Sequence, residues 1–485
     1  MTHTKYFISL FVFVFVFVQN VSAQKDPDAV QSAMAQLIHH QSTNADTIAV
    51  ELSKRFKKSA PMQVALARAY YRNNERSKTR YYLAKAMQAD DKYSPAYILY
   101  GDMYGEWDID SACYWFDKAI EAKPRDPDGY VRYANVMSRR DMDKAKEKLE
   151  ELRKVLPSYN VDVEIASLYN KKGDDKSAAE AMAGVDLRSL SMNQTAQYLQ
   201  NCYWANNDER GIEVAKFAVK RFPQNRGFNR VYSWCAARSG SYKEAIEQGD
   251  KWFKNTPVDS INSIDLLTMG SAYLGEGNYD KAFSYWERIK FLKNDYFAPQ
   301  MRGQINRLVN ARVDALKGNG EYDNAADLYR RFVKEYPSET DPAYQLYSLS
   351  QIHRDEQEEL NGAEKLAAIK KMFAVYTELE DRYPRWENLH FVLYTHARWQ
   401  YAYFDPQNEE QLAEPYYQKL YDFLQTKNEL NDQQKAMAVE ACQYMASTEY
   451  FQRQNVTKAR QWWTRILTFD PDNQSAKDAL AKIKK

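Results

Sequence analysis

Residues that turn a chain are scarce: 16 glycines and 15 prolines in 485 residues, against about 7% and 5% in an average protein. So few turn signals speak against a loop-rich fold and for helices. An excess of one charge is also missing. The 67 basic residues face 66 acidic ones, which leaves no basic footprint for nucleic acid and no surface that adheres broadly to anionic lipid. Four cysteines, Cys113, Cys202, Cys235 and Cys442, are too few for a disulfide framework and lack zinc-ligand spacing. Their expected role is as small buried apolar residues, and the spacing leaves open one bridge, between Cys202 and Cys235.

Histidine is equally sparse, at His3, His39, His40, His353, His390 and His396. His390 and His396 stand about 240° apart on a helix, so they cannot share a metal ion. No glycine-rich phosphate loop, nucleophile elbow or HExxH motif occurs, and no carboxylate pair stands apart from the usual solvated helix faces. No catalytic group, metal or cofactor is expected, and an enzyme is the poorer reading.

A membrane-length apolar run is missing too. The stretch "FVFVFVFV" (11–18) belongs to an uncharged run, Tyr6 to Val18, that follows Lys5; such a run is too short for the roughly 20 residues of a spanning helix. A basic start, a short apolar middle and the small residues Val21-Ser22-Ala23 describe a secretory leader cut after Ala23. No cysteine follows that cut, which disfavours a lipoprotein.

What the chain does have is internal repetition. The windows "IDSACYWFDKAIEAKP" (109–124), "MDKAKEKLEELRKVLP" (142–157), "DERGIEVAKFAVKRFP" (208–223), "YKEAIEQGDKWFKNTP" (242–257) and "YDNAADLYRRFVKEYP" (322–337) each carry a small residue fourth and a proline last. The small residues run Thr79, Ala112, Ala145, Ala178 and Gly211, a constant step of 33, then Ala245, Ala282 and Ala325 at wider steps. A small side chain lets antiparallel helices approach, and the bulky residue four places on, such as Phe116, Leu149, Trp286 or Tyr329, fills the space beside it. Proline then ends the helix. Ahead of each window lies a second apolar helix, with Ala67, Ala166 and Gly270 twelve places before the small residue and Tyr70, Tyr169 and Tyr273 nine before.

With these positions the chain resembles the tetratricopeptide repeat family, whose 34-residue unit carries W-x2-L-G-x2-Y, A-x3-F and P. The clearest matches are "LLTMGSAYLGEGNYDKAFSYWERIK" (266–290) and "ALKGNGEYDNAADLYRRFVKEYP" (315–337), and the resemblance covers most of 27–471. Gly249 and Ala215 replace the bulky residue, several units are one residue short, and the leading Trp is generally absent. After Pro337 the register loosens. One enlarged pair is expected in 338–384, a linker-like segment at 405–412, a regular pair at 434–471 and a polar terminal helix over 473–485. The resemblance implies an all-α, right-handed α-solenoid of about twelve stacked antiparallel helix pairs. Its expected divisions are a leader at 1–23, an array over 24–294, and a more irregular array with a capping helix over 295–485.

In this family the first helix of each pair lines the concave surface. Carried onto this sequence, that stripe holds Arg68, Arg72, Asn135, Arg139, Lys171, Arg230, Trp234 and Arg238. The last three share a face, so the indole is placed to stack on a peptide or sugar while the guanidinium groups pair its carboxylate; the plainer reading is a solvated cation–π patch. They do not reproduce the family's carboxylate clamp for chaperone tails. A second stripe, Tyr394, Arg398 and Tyr401, lies in "ENLHFVLYTHARWQYAYF" (387–404), where packing is the plainer role. Most of the 37 Tyr, 21 Phe and 10 Trp are expected between helices. The tripeptides at Asp46, Asp110 and Asp259 look like sugar-attachment sites of some Gram-negative exported proteins, yet each sits at a predicted helix start, where capping is the simpler role.

The reading is an exported scaffold or adaptor, periplasmic or secreted, that binds proteins or peptides of the cell envelope in its groove without catalysis. Nucleic acid and stable membrane insertion after leader removal are excluded as partners. A carbohydrate-binding envelope protein, taking a glycan, is the alternative; a hydrolase with groups gathered from distant helices ranks third.

Overall fold

A computed structural model describes residues 25–254, 256–292, 296 and 298–483. The expected leader and the expected boundary at 294/295 lie outside the described residues. Among those residues there are 25 α-helices and no strand. The substantial contacts of every helix run to helices one or two places along the chain, which is the pattern of stacked pairs, each hiding its apolar face against its neighbours.

The chain divides into two compact units, one ending at Ser239 and one beginning at Gly240. In the first, pairs such as Ala60–Arg72 with Arg76–Ala89 and Ser94–Tyr104 with Ile109–Ala122 follow one another. In the second, Ser263–Gly275 pairs with Tyr279–Glu287, and Ala298–Gly318 with Tyr322–Glu335. The enlarged pair of 338–384 is Pro342–Glu359 with Gly362–Arg382, the regular pair of 434–471 is Asp432–Ser447 with Val456–Phe469, and the terminal helix is Gln474–Lys482.

The repeated positions do what their sizes dictate. Ala112, Ala145, Ala178, Ala245, Ala282 and Ala325 are fully buried, as are Phe116, Leu149 and Trp286. Gly211 fits between two first helices, where a Cβ would come 2.7 Å from Cys235 Sγ and 3.5 Å from Cys202 Cβ. Both thiols are free and buried, so the bridge left open by the spacing is not formed in this structure.

Some helix starts are capped by side chains and others are not, and the aspartates of the three tripeptides cap none of them. Asp108, not Asp110, caps Ile109–Ala122, accepting from Ser111 N–H at 3.0 Å and Ser111 Oγ at 2.6 Å. Asp110 already lies inside the first turn and pairs with Arg140 at 2.7 Å. Asp46 likewise lies inside its helix, where it takes Lys78 at 2.7 Å and the Tyr70 hydroxyl at 2.7 Å. Asp259 belongs to a separate 3₁₀ turn, and Asn262 caps the helix that follows, in a capping box with Asp265. A cap needs a residue still outside the helix, and these aspartates are two or three residues out of place.

Candidate partner-binding grooves

In the first unit, the groove cations expected from the sequence bind back to the preceding repeat. Arg139 donates to the carbonyl of Gly105, the residue that ends Ser94–Tyr104. Arg238 does the same to Tyr203, in the last turn of Met192–Trp204, and also takes Asp208 through two bonds of 2.6 Å. A cation at a helix C-terminus meets the negative end of the dipole and its unpaired carbonyls. Lys171 donates to Asn135 Oδ1. Trp234 is only 9% exposed; it leans on Tyr203 at 5.0 Å, with the Arg230 guanidinium 4.9 Å over its ring. Arg68 is half-buried and Arg72 exposed on Ala60–Arg72. An ion pair the sequence did not single out crosses the same face: Arg132 grips Asp102 at 2.7 and 2.9 Å, and burial pushes the Asp102 carboxyl up.

The second unit opens two cavities between successive first helices. One, of about 730 Å³, lies between Ala298–Gly318 and Pro342–Glu359. Arg302, Asn306 and Asn310 line one wall at one-turn spacing, Tyr344, Ser348 and Gln351 line the other, and Tyr329, Phe332 and Tyr336 contribute aromatic rings. Its charges are already satisfied: Arg302 pairs with Glu339 at 2.7 Å and Lys317 with Asp355 at 2.6 Å. Two features have no packing explanation. Gly303 sits in mid-helix on this wall, with nothing within 4 Å of where its Cβ would be. Tyr336 is buried, yet its hydroxyl has no hydrogen-bond partner; burial pushes that hydroxyl well above its ordinary range. Neither was found from the sequence, although an isolated glycine inside a helical pattern was the available signal.

The other cavity, of about 780 Å³, lies between Leu389–Trp399 and Asp432–Ser447. Each of these helices runs on into a π-turn, Gln400–Phe404 and Thr448–Gln452. The turns are marked by bonds five residues back, from Asp405 N–H to Gln400 O at 3.0 Å and from Arg453 N–H to Thr448 O at 3.2 Å. Arg398 and Tyr401 line this groove, and Tyr394 supports it from behind. Glu440 accepts from Tyr394 at 2.7 Å and from Tyr417 at 2.9 Å, and pairs with Arg398 Nε at 3.3 Å. Burial together with Glu440 pushes the Tyr417 hydroxyl far up.

The segment 405–412, expected to be linker-like, is instead an ordered rim of this groove. Asp405 is buried and accepts from the N–H groups of Glu409 at 2.8 Å and Leu412 at 3.2 Å. Asn408 donates to Thr448 at 2.8 Å and accepts from Tyr444, and Gln452 donates to the Gln407 carbonyl at 3.4 Å. A polar composition hides a loop that is held by its own aspartate.

Among the described residues no group of three or more His, Cys, Asp or Glu is placed to hold a metal ion, and no helix is long and apolar enough to cross a membrane.

Residues 205–260 match the family model of the tetratricopeptide repeat, the family that the sequence was expected to resemble. No curated protein matches. Among solved structures, the C-terminal part of a TPR repeat-containing protein from Cytophaga hutchinsonii is 20% identical, covering 59% of this chain and 99% of that one, with a TM-score of 0.27. A tetratricopeptide repeat protein from Parabacteroides merdae is 10% identical over 50% of this chain and 97% of its own, with a TM-score of 0.30. YrrB, a TPR protein with an unusual peptide-binding site, is 15% identical over 46% of this chain and 97% of its own, with a TM-score of 0.28.

Proposed function

We propose that this tetratricopeptide-repeat protein is an exported scaffold that binds an extended segment of a partner protein, without catalysis, in the groove between Ala298–Gly318 and Pro342–Glu359. The observation that carries this reading is Gly303. Glycine inside a helix costs about 0.5–1 kcal/mol relative to alanine, and here no neighbour requires it; what it does is keep the wall of the groove open. The groove offers amide side chains over aromatic rings. An amide both donates and accepts, as a peptide backbone does, and the rings receive apolar side chains. The unpartnered Tyr336 hydroxyl is a further polar group beside that space. Export rests on the leader-like start of the sequence, and N-terminal sequencing of the protein recovered from the envelope fraction is expected to begin at Gln24.

The test is affinity capture from envelope extract with the wild type, with Gly303→Leu and with the double variant Asn306→Ala/Gln351→Ala. A partner held by the wild type and lost by both variants, with thermal stability no lower than that of the wild type, supports the reading. Identical partners in all three overturn it.

A further inference from the structure

We propose that the second groove, between the π-turns that end Leu389–Trp399 and Asp432–Ser447, is a binding site for a neutral saccharide. This goes beyond the scaffold reading and does not depend on it, because the residues are different and so is the chemistry they present.

Charge comes first. The ionised groups in the groove, Arg398 and Glu440, are spent on each other and on two tyrosine hydroxyls. An acidic or basic ligand group would have to break that arrangement to find a partner. The other polar side chains there are uncharged: the amides of Gln443 and Gln407, the Ser447 hydroxyl, and the Gln452 amide, whose nitrogen also reaches the Gln407 carbonyl at 3.4 Å. Planar amides can donate and accept side by side, which suits adjacent hydroxyls of a sugar ring.

Apolar contacts come second. Tyr401 is 42% exposed and Phe451 70% exposed, and both line the groove. Behind them Tyr417 and Tyr444 stack at 4.6 Å, and Tyr401 meets Tyr444 only edge-on, at 5.9 Å. A sugar ring has an apolar C–H face and a polar hydroxyl edge, so it fits a site that offers exposed rings together with amides. Side chains of this amphipathic kind are favoured where one side of a ligand is apolar and the other wet.

Backbone geometry comes third. The wider π-turn carries Tyr401 in one helix and Phe451 in the other, and short π segments recur at functional sites. Both turns are held: the Asp405 loop is bonded to Thr448, Tyr444 and Gln452, and Arg453 grips Glu414 and Glu449. The groove is therefore built before ligand arrives. At about 780 Å³ it falls in the size range of sites for small molecules, enough for a short oligosaccharide.

The test is a microarray of neutral glycans probed with the full chain, with any hit measured by calorimetry against Tyr401→Ala, Phe451→Ala, Gln443→Ala and Gly303→Leu. The first two residues are exposed, so their loss does not remove core. Expected is saturable binding of at least one neutral glycan, weakened about tenfold by each aromatic substitution, the scale of one aromatic contact, weakened by Gln443→Ala, and unchanged by Gly303→Leu. No neutral glycan bound, or binding that survives both aromatic substitutions, overturns the proposal. Loss of binding with Gly303→Leu overturns it as well, by placing the ligand in the other groove, while leaving the scaffold reading to its own test.

Discussion

Gly270 lies against the indole of Trp286, so closely that a Cβ at 270 would overlap the ring. Trp286 is fully buried, and its Nε1 donates to the Leu267 carbonyl at 3.3 Å. The glycine is what lets Ser263–Gly275 approach Tyr279–Glu287. Gly270→Ala is expected to destabilise the second unit by about 1–3 kcal/mol through overpacking, despite the better helix propensity of alanine. Urea unfolding checks it. Replacing Trp286 by Leu in the same chain should recover part of the loss in a double-mutant cycle, since the clash goes with the ring.

Gly303 gives the opposite outcome for the same substitution. Nothing lies within reach of a Cβ there, so Gly303→Ala is expected to stabilise by about 0.5–1 kcal/mol, read as a higher urea midpoint at unchanged slope. A loss of stability would mean that the site is packed and the groove is not open.

Much of the fold was legible because the repeat states it many times over. A small residue and a bulky one four places later can be recognised in Ala112 and Phe116 even when Gly249 or Ala215 breaks the pattern elsewhere. The site was legible only as far as position. Arg139, Arg238 and Lys171 stand where the family places groove residues, but their partners, the Gly105 and Tyr203 carbonyls, Asp208 and Asn135, belong to the preceding repeat, and sequence spacing does not say which way a long side chain turns. The π-turns were not legible at all. A bond from Asp405 to Gln400 rather than to Tyr401 depends on what packs around the helix end, and no residue type announces it.

Because Arg238 is held by Asp208 and the Tyr203 carbonyl, Arg238→Met is expected to act on stability first. The loss should be about 1–2 kcal/mol, as for a charge-assisted hydrogen bond near the surface. Calorimetric unfolding of the variant checks it, with Asp208→Asn as the matching partner change. Partner binding lost with no change in stability would instead mark Arg238 as a ligand contact.

Burial raises all four thiols: Cys113 to about 11, Cys202 and Cys442 to about 12, and Cys235 further in the same direction. Since the thiolate is the reactive form, the native protein is expected to be inert to a disulfide reagent such as DTNB at neutral pH. After denaturation without reductant, it should release one equivalent per cysteine, four in all. A shortfall of two would indicate a bridge.

Two histidines set how the second unit responds to acid. His396 is sealed between Tyr416, at 3.6 Å between ring centres, and Phe373, at 4.1 Å, and burial holds its pKa below the ordinary 6.5 despite the nearby Glu380 carboxylate. Burial lowers His390 in the same way. In the unfolded chain both take up protons near 6.5; in the folded unit they resist until the pH is lower. Their contribution to stability is therefore complete above about pH 6.5 and is lost as the pH falls below it toward the folded values, because there the unfolded state binds more protons. Burial raises the pKa of Glu380, but hydrogen bonds from His396 and Lys419 outweigh it and leave the carboxyl below 4.5, so the loss due to Glu380 begins only at more acid pH. Urea midpoints at about pH 7.5 and about pH 5.5 should differ, with a slope of up to about 1.4 kcal/mol per pH unit for each histidine. In His396→Gln that slope should fall to roughly half, the part left to His390. An unchanged slope would mean that His396 titrates alike in the folded and unfolded chain, and that its place between the two rings costs the protonated form nothing.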